Sequence, residues 1–151
     1  MRFLLLTISL GFFLAFSSAH AQFREVLYTS IPADSVSMIK LELRDSFEVV
    51  SWYNSAVFLE TRILMGGCPE SLLKHVAADG RYNLEYLRLD SIMTFSQSSD
   101  RKVISYPKGA CEEVVKYKFY IPADFEQVGP TEFIRKSEVS KTTLNYDDRG
   151  E

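Results

Sequence analysis

Cys68 and His75 stand seven residues apart, and a thiol beside an imidazole is a nucleophile beside its base. Local spacing does not bring two such groups together, and the rest of the usual machinery is missing. His75 is the only histidine after residue 21, which rules out a multi-histidine metal site in that part of one chain. There is no His-Glu-x-x-His helix motif and no paired-cysteine zinc spacing. A Gly-x-Ser-x-Gly elbow is absent, and Gly66-Gly67 is not followed by the Lys-Ser or Lys-Thr of a phosphate cradle. No cofactor and no metal are expected. The other partner for Cys68 is Cys111, the second of only two cysteines. Each adjoins turn-forming residues, in Gly66-Gly67-Cys68-Pro69 and Pro107-Lys108-Gly109-Ala110-Cys111. A disulfide between them closes a loop of about 44 residues and contributes roughly 4 kcal/mol by loop entropy. The alternative is two separate buried thiols.

Carboxylates offer a second chemistry, because glycoside hydrolysis needs only an acid and a base at a suitable separation. Glu48, Glu60, Glu85, Glu112 and Glu113 are the candidates. Glu112 and Glu113 are adjacent, so on a strand they point to opposite faces. The expected role of the set is a charged outer surface, and the chain is read as non-catalytic. Aromatic residues offer a third chemistry. Trp52, Tyr53, Tyr82, Tyr86, Tyr117 and Tyr120 could present flat rings to a sugar or a protein partner. In a small β domain most such rings are core or cross-strand pairs. The candidates for an exposed interaction surface are Trp52 and Tyr53 at a turn and Tyr106 beside Pro107.

The elements that would position these groups read as strands. Ile39, Leu41 and Leu43 alternate with Lys40, Glu42 and Arg44, and Phe47 to Trp52 continues the alternation. Ala56 to Met65 is the cleanest strand pattern: Val57, Leu59, Thr61, Ile63 and Met65 share one face, with Phe58, Glu60, Arg62 and Leu64 on the other. Leu72, Leu73, Val76 and Ala77 are spaced for a short helix over 70–78, with Gly80 as its stop. Strands are predicted over 81–89, with a bulge near Leu87 and Leu89, and over 92–95, 102–106, 113–121 and 132–139. Lys116 and Lys118 beside Tyr120 suit an edge-strand guard. Ile-Pro-Ala-Asp occurs at 31–34 and again at 121–124, where Pro and Asp favour a strand exit.

Residues 1–21 read as a secretory leader. Arg2 precedes an uncharged apolar run, Phe3 to Phe16, and Ala19-His20-Ala21 fits the small-x-small cleavage pattern. The run is shorter than the roughly 20 residues a span requires. Gln22, not a cysteine, follows the cleavage position, so a lipoprotein acceptor thiol is lacking. Cleavage removes one basic residue and leaves 16 basic against 20 acidic, a net charge of −4. Scattered cations on an acidic chain argue against nucleic-acid binding. The division expected is a leader at 1–21, a lead-in at 22–35, one β domain at 36–140 and a polar tail at 141–151.

The run Glu48-Val49-Val50-Ser51-Trp52-Tyr53-Asn54-Ser55-Ala56-Val57-Phe58-Leu59-Glu60 resembles the opening of adhesin-like exported β proteins of Bacteroidetes-type bacteria, as does Tyr117 to Asp124 with its Ile-Pro-Ala-Asp end. The resemblance implies an envelope-associated β protein and assigns no catalytic residue. Only seven glycines, the helical segment and the two cysteines set this chain apart from a regular β-helix. Ser35 and Ser91, in Asp34-Ser35-Val36 and Asp90-Ser91-Ile92, resemble O-glycan acceptors of the same bacteria.

The expected fold is all-β: a small sandwich-like or curled antiparallel sheet with one short helix, or stacked single-strand rungs. The expected function is an exported, periplasmic or extracellular, non-catalytic interaction domain whose partner is an envelope protein or a glycan. A carbohydrate-binding module and a small carboxylate hydrolase are the alternatives.

Overall fold

A computed structural model describes residues 22–98, 101–107 and 109–136. The leader at 1–21 and the tail at 141–151 lie outside the described residues. The chain is all-β with one helix, α1 (Glu70–Ala78), as its sequence predicts. The strands are β1 (Gln22–Pro32), β2 (Met38–Glu42), β3 (Ser46–Trp52), β4 (Ala56–Gly66), β5 (Glu85–Leu89), β6 (Ile92–Ser96), β7 (Ser105–Tyr106), β8 (Gly109–Ala110), β9 (Glu112–Pro122), β10 (Phe125–Gln127) and β11 (Glu132–Arg135). They form a four-stranded sheet ordered β1-β4-β9-β3, a five-stranded sheet ordered β10-β11-β2-β6-β5 and the small β7–β8 pair.

Period-two patterning explains why β4 and β9 lie at the centre. Val57, Leu59, Ile63 and Met65 on β4 and Val115, Tyr117, Phe119 and Ile121 on β9 are buried on one shared face. Ile39 and Leu41 of β2 and Met93 and Phe95 of β6 supply the facing layer. The layers meet ring to ring, with Phe95 edge-on to Phe119 at 5.3 Å.

Both sheets are mixed. The antiparallel arrangement predicted is interrupted by two parallel pairs, β2 with β6 and β3 with β9. The connected pair β2–β3 therefore stacks on β6 and β9 as a single rung-like step, and a side-chain lock holds its corner. Gln97 accepts from the Arg44 and Asp45 backbone N–H groups (3.0 and 3.2 Å) and donates to Asp45 Oδ2 (2.7 Å), which also pairs with Arg101.

Both Ile-Pro-Ala-Asp copies carry the chain from the four-stranded to the five-stranded sheet, one from β1 to β2 and the other from β9 to β10. Proline has no N–H to extend a ladder, so it suits a strand exit. Arg135 clasps both turns. Its guanidinium donates to the Val36 carbonyl (2.8 Å) and the Ala33 carbonyl (2.7 Å) and pairs with Asp124.

Several expectations are corrected. The lead-in at 22–35 contains β1, an eleven-residue strand paired along its whole length with β4. Residues 81–84 form turn and coil rather than strand, and Tyr82 is buried there. No bulge occurs in β5, which pairs with β6 in continuous register as an edge strand, with Leu87 and Leu89 exposed on its outer side. Lys116 and Lys118 guard no edge, because β9 lies between β4 and β3. The last strand stops at Arg135, and the remainder of the predicted 132–139 segment reaches residues outside those described.

Candidate functional site

The two faces of the four-stranded sheet differ in kind. One is the core, and the other carries an ordered set of aromatic and charged side chains. Even-numbered residues of β1, β3, β4 and β9 project outward, and the registers place them in rows: Ser30, Phe58, Tyr120 and Val50; then Tyr28, Glu60, Lys118 and Glu48; then Val26, Arg62, Lys116 and Ser46.

Aromatic rings cluster at the Trp52 end. The Trp52, Phe58 and Tyr120 rings form a triangle with centroids 5.5, 5.8 and 5.6 Å apart, and Tyr28 stacks on Phe58 at 5.7 Å. The three central rings are half-buried, while Tyr28 is 64% exposed. Local bonds fix this end. Trp52 Nε1 donates to the Ala56 carbonyl (2.9 Å), Asn54 Oδ1 accepts from the Ala56 N–H (3.2 Å), and the Trp52 carbonyl accepts from the Ala123 N–H (2.8 Å). The β3–β4 turn thus passes the end of β9 and leaves Tyr53 fully exposed at its apex.

Next along the face comes a ladder of ion pairs. Lys118 Nζ lies 3.0 Å from Glu48 and 5.4 Å from the Tyr120 ring centroid. The hydrogen bond from Lys118 holds the Glu48 carboxyl below the usual carboxylate range, with the lysine charge second. Arg62 pairs with Glu60, which is buried beneath its neighbours and 3.4 Å from the Tyr120 hydroxyl. Beyond the ladder, Arg62 and Lys116 are direct register partners and line two depressions. One, of about 290 Å³, is completed by Ser46, Phe47, Glu48, Tyr117 and Lys118. The other, of about 230 Å³, is completed by Arg24, Val26, Leu64 and Val114.

The opposite end of β9 is structural. Cys68 and Cys111 form a disulfide with Cα atoms 5.5 Å apart, which ties the exit of β4 to the entry of β9. Cys68 therefore has no free thiol for His75, whose exposed ring pairs with Asp79 at 3.4 Å. Arg81 grips Glu113 with two bonds (2.9 and 2.7 Å), and the Tyr82 hydroxyl donates to the same carboxylate (2.6 Å). Burial alone would raise Glu113, but the hydrogen bonds from Arg81 and Tyr82, with the guanidinium charge, bring it below the usual range. Burial, and then the hydrogen bond to Glu113, pushes the Tyr82 phenol up.

The sequence candidates thus divide. Trp52 and Tyr53 lie at the aromatic end of the outer face, and Tyr120 joins them. Tyr106 is half-buried, packs against the core and lies on β7 near Cys111, at the far end of β9. Tyr82 and Tyr117 are core, and Tyr86 is exposed on the other sheet. Glu85 and Glu112 are exposed. Tyr28, Phe58, Arg24, Arg62 and Lys116 were not among the sequence candidates for a site. Their signal is a spacing: Arg24 and Tyr28, Phe58 and Arg62, and Lys116 and Tyr120 each lie four apart on one strand. Among the described residues no group of three or more His, Cys, Asp or Glu side chains could hold a metal ion. Among the same residues no helix is long and apolar enough to cross a membrane. No family model matches the chain, and neither a curated protein nor a solved structure matches it.

Proposed function

We propose that this chain is an exported, non-catalytic binding domain that engages its ligand on the outer face of the four-stranded sheet. The leader pattern at 1–21 supports export, and the Cys68–Cys111 disulfide is compatible with an oxidising compartment. The observation that carries the binding reading is the contiguous cluster of Trp52, Phe58, Tyr120 and Tyr28 on a face turned away from the core. Four neighbouring rings on one open sheet surface supply large, rigid contact area at low entropic cost.

The hydrolase alternative has less support. A glycosidase acid requires a carboxyl with a raised pKa, whereas Glu48 is lowered by Lys118. The test is a binding screen against glycans and purified envelope proteins. Trp52→Ala and Tyr28→Ala are expected to lose binding while Tyr86→Ala, on the other sheet, retains it. Equal binding by all three variants would place the ligand elsewhere.

A further inference from the structure

We infer that the ligand is an acidic polysaccharide, whose sugar rings lie on the aromatic end and whose carboxylate or sulfate groups reach Arg62, Lys116 and Arg24. This rests on the outer-face reading above and names the class of ligand for that face.

The argument begins with the repeated spacing. Tyr28 and Arg24 on β1, Phe58 and Arg62 on β4, and Tyr120 and Lys116 on β9 each place a ring and a cation four residues apart on the same side of one strand. At about 3.3 Å per residue the separation is about 13 Å on all three strands. Three adjacent strands therefore present a ring zone and a cation zone in the same direction. A chain-like ligand that is both ring-bearing and anionic matches both zones at once.

Charge selects the anion. The outer face holds four cations, Arg24, Arg62, Lys116 and Lys118, against three carboxylates, Glu48, Glu60 and Glu112. Lys118 answers Glu48 and Arg62 answers Glu60. Among the described residues Arg24 and Lys116 pair with no carboxylate, and both line the 230 Å³ depression with Arg62. This local excess lies on a chain whose net charge is negative, so a polyanion is drawn to this face and repelled elsewhere. The ladder between the zones offers donors and acceptors to sugar hydroxyls. Ring faces stack on the apolar faces of sugars, and the open, shallow shape of the depressions admits a strand of polymer.

Affinity electrophoresis of the full chain, produced with its leader, tests this. Gels contain polygalacturonate, a sulfated dextran, neutral dextran or inorganic polyphosphate. Retardation is expected in polygalacturonate or sulfated dextran, and which of the two tells carboxylate from sulfate. Lys116→Ala and Arg24→Ala should each weaken binding about tenfold, and Lys116→Arg should restore it. Retardation in neutral dextran that Lys116→Ala leaves unchanged would overturn the anionic assignment and spare the binding face. Equal retardation by polyphosphate would overturn it too, since that polymer has no sugar to place on the rings. Loss of binding in Lys116→Ala with none in Trp52→Ala would overturn the aromatic reading of the face itself. No retardation in any polysaccharide would overturn the assignment of a glycan.

Discussion

Arg62 on β4 stands directly opposite Lys116 on β9, so two cations share one row of a solvent-facing sheet. Like charges placed opposite each other destabilise a sheet unless something answers them. Glu60 answers Arg62, buried at its side, while Lys116 pairs with no carboxylate among the described residues. Substituting Lys116 with Ala is therefore expected to leave stability unchanged or raise it by a few tenths of a kcal/mol. Urea unfolding checks this, and a loss above about 1 kcal/mol would show that Lys116 has a structural role.

The Cys68–Cys111 bridge joins the ends of the two central strands. Cys111→Ser, or reduction of the folded chain, should lower stability by roughly 3–4 kcal/mol, since the closed loop is long. Thermal unfolding with and without reductant measures this. The outer face lies largely along the remaining length of β4 and β9, so ligand binding well below the new melting temperature should persist.

Arg135 bonds to two turns at once. Ala33 is fully buried, and its carbonyl accepts from the Arg135 guanidinium. Arg135→Ala should cost about 3 kcal/mol, because it strands that acceptor and frees Asp124. Lysine at this position should not restore the loss, since one ammonium cannot reach three acceptors in a planar fork. Equal stability of the Lys variant would contradict the clasp.

Acid and alkaline stability should report the Arg81–Tyr82–Glu113 lock. Glu113 is lowered in the fold, so its contribution is complete above its unfolded value near 4.5 and is lost as pH falls through the lower folded value. Tyr82 and Tyr117 are raised by burial, Tyr117 to about 12, so their contributions are complete below pH 10 and fall as pH rises beyond it. In Glu113→Gln the fall in stability below pH 4.5 should be shallower, at a cost of about 2 kcal/mol at pH 7. Melting temperatures over pH 3 to 11 test both arms, and an acid limb identical in wild type and variant would contradict the assignment.

How far the sequence discloses this fold depends on how unlike the two faces of each strand are. β4, β9 and α1 match their predicted ranges to within about a residue, because Val57 to Met65 and Val115 to Ile121 alternate without interruption. β1 was hidden because its inward positions include Glu25 and Thr29 and its outward ones Val26 and Tyr28, so apolar contrast is lost. Its partner β4 stabilises it as a strand. Tyr82 imitated a strand residue because a buried ring in a turn looks the same in one dimension. The parallel pairs were illegible, since alternation records which face a residue takes and not which strand lies beside it. The outer face was half legible: Trp52 and Tyr53 announced a turn, but only the register shows that Phe58 and Tyr120 meet Trp52 and that Tyr28 stacks on Phe58.

Trp52 is the only tryptophan in the chain and one vertex of the aromatic triangle, so its emission reports from within the proposed face. Titration with the polyanionic glycan that retards the chain should change that emission saturably, with a midpoint about tenfold higher for Lys116→Ala. Retardation by the same glycan with Trp52 emission unaltered at saturation would contradict the account.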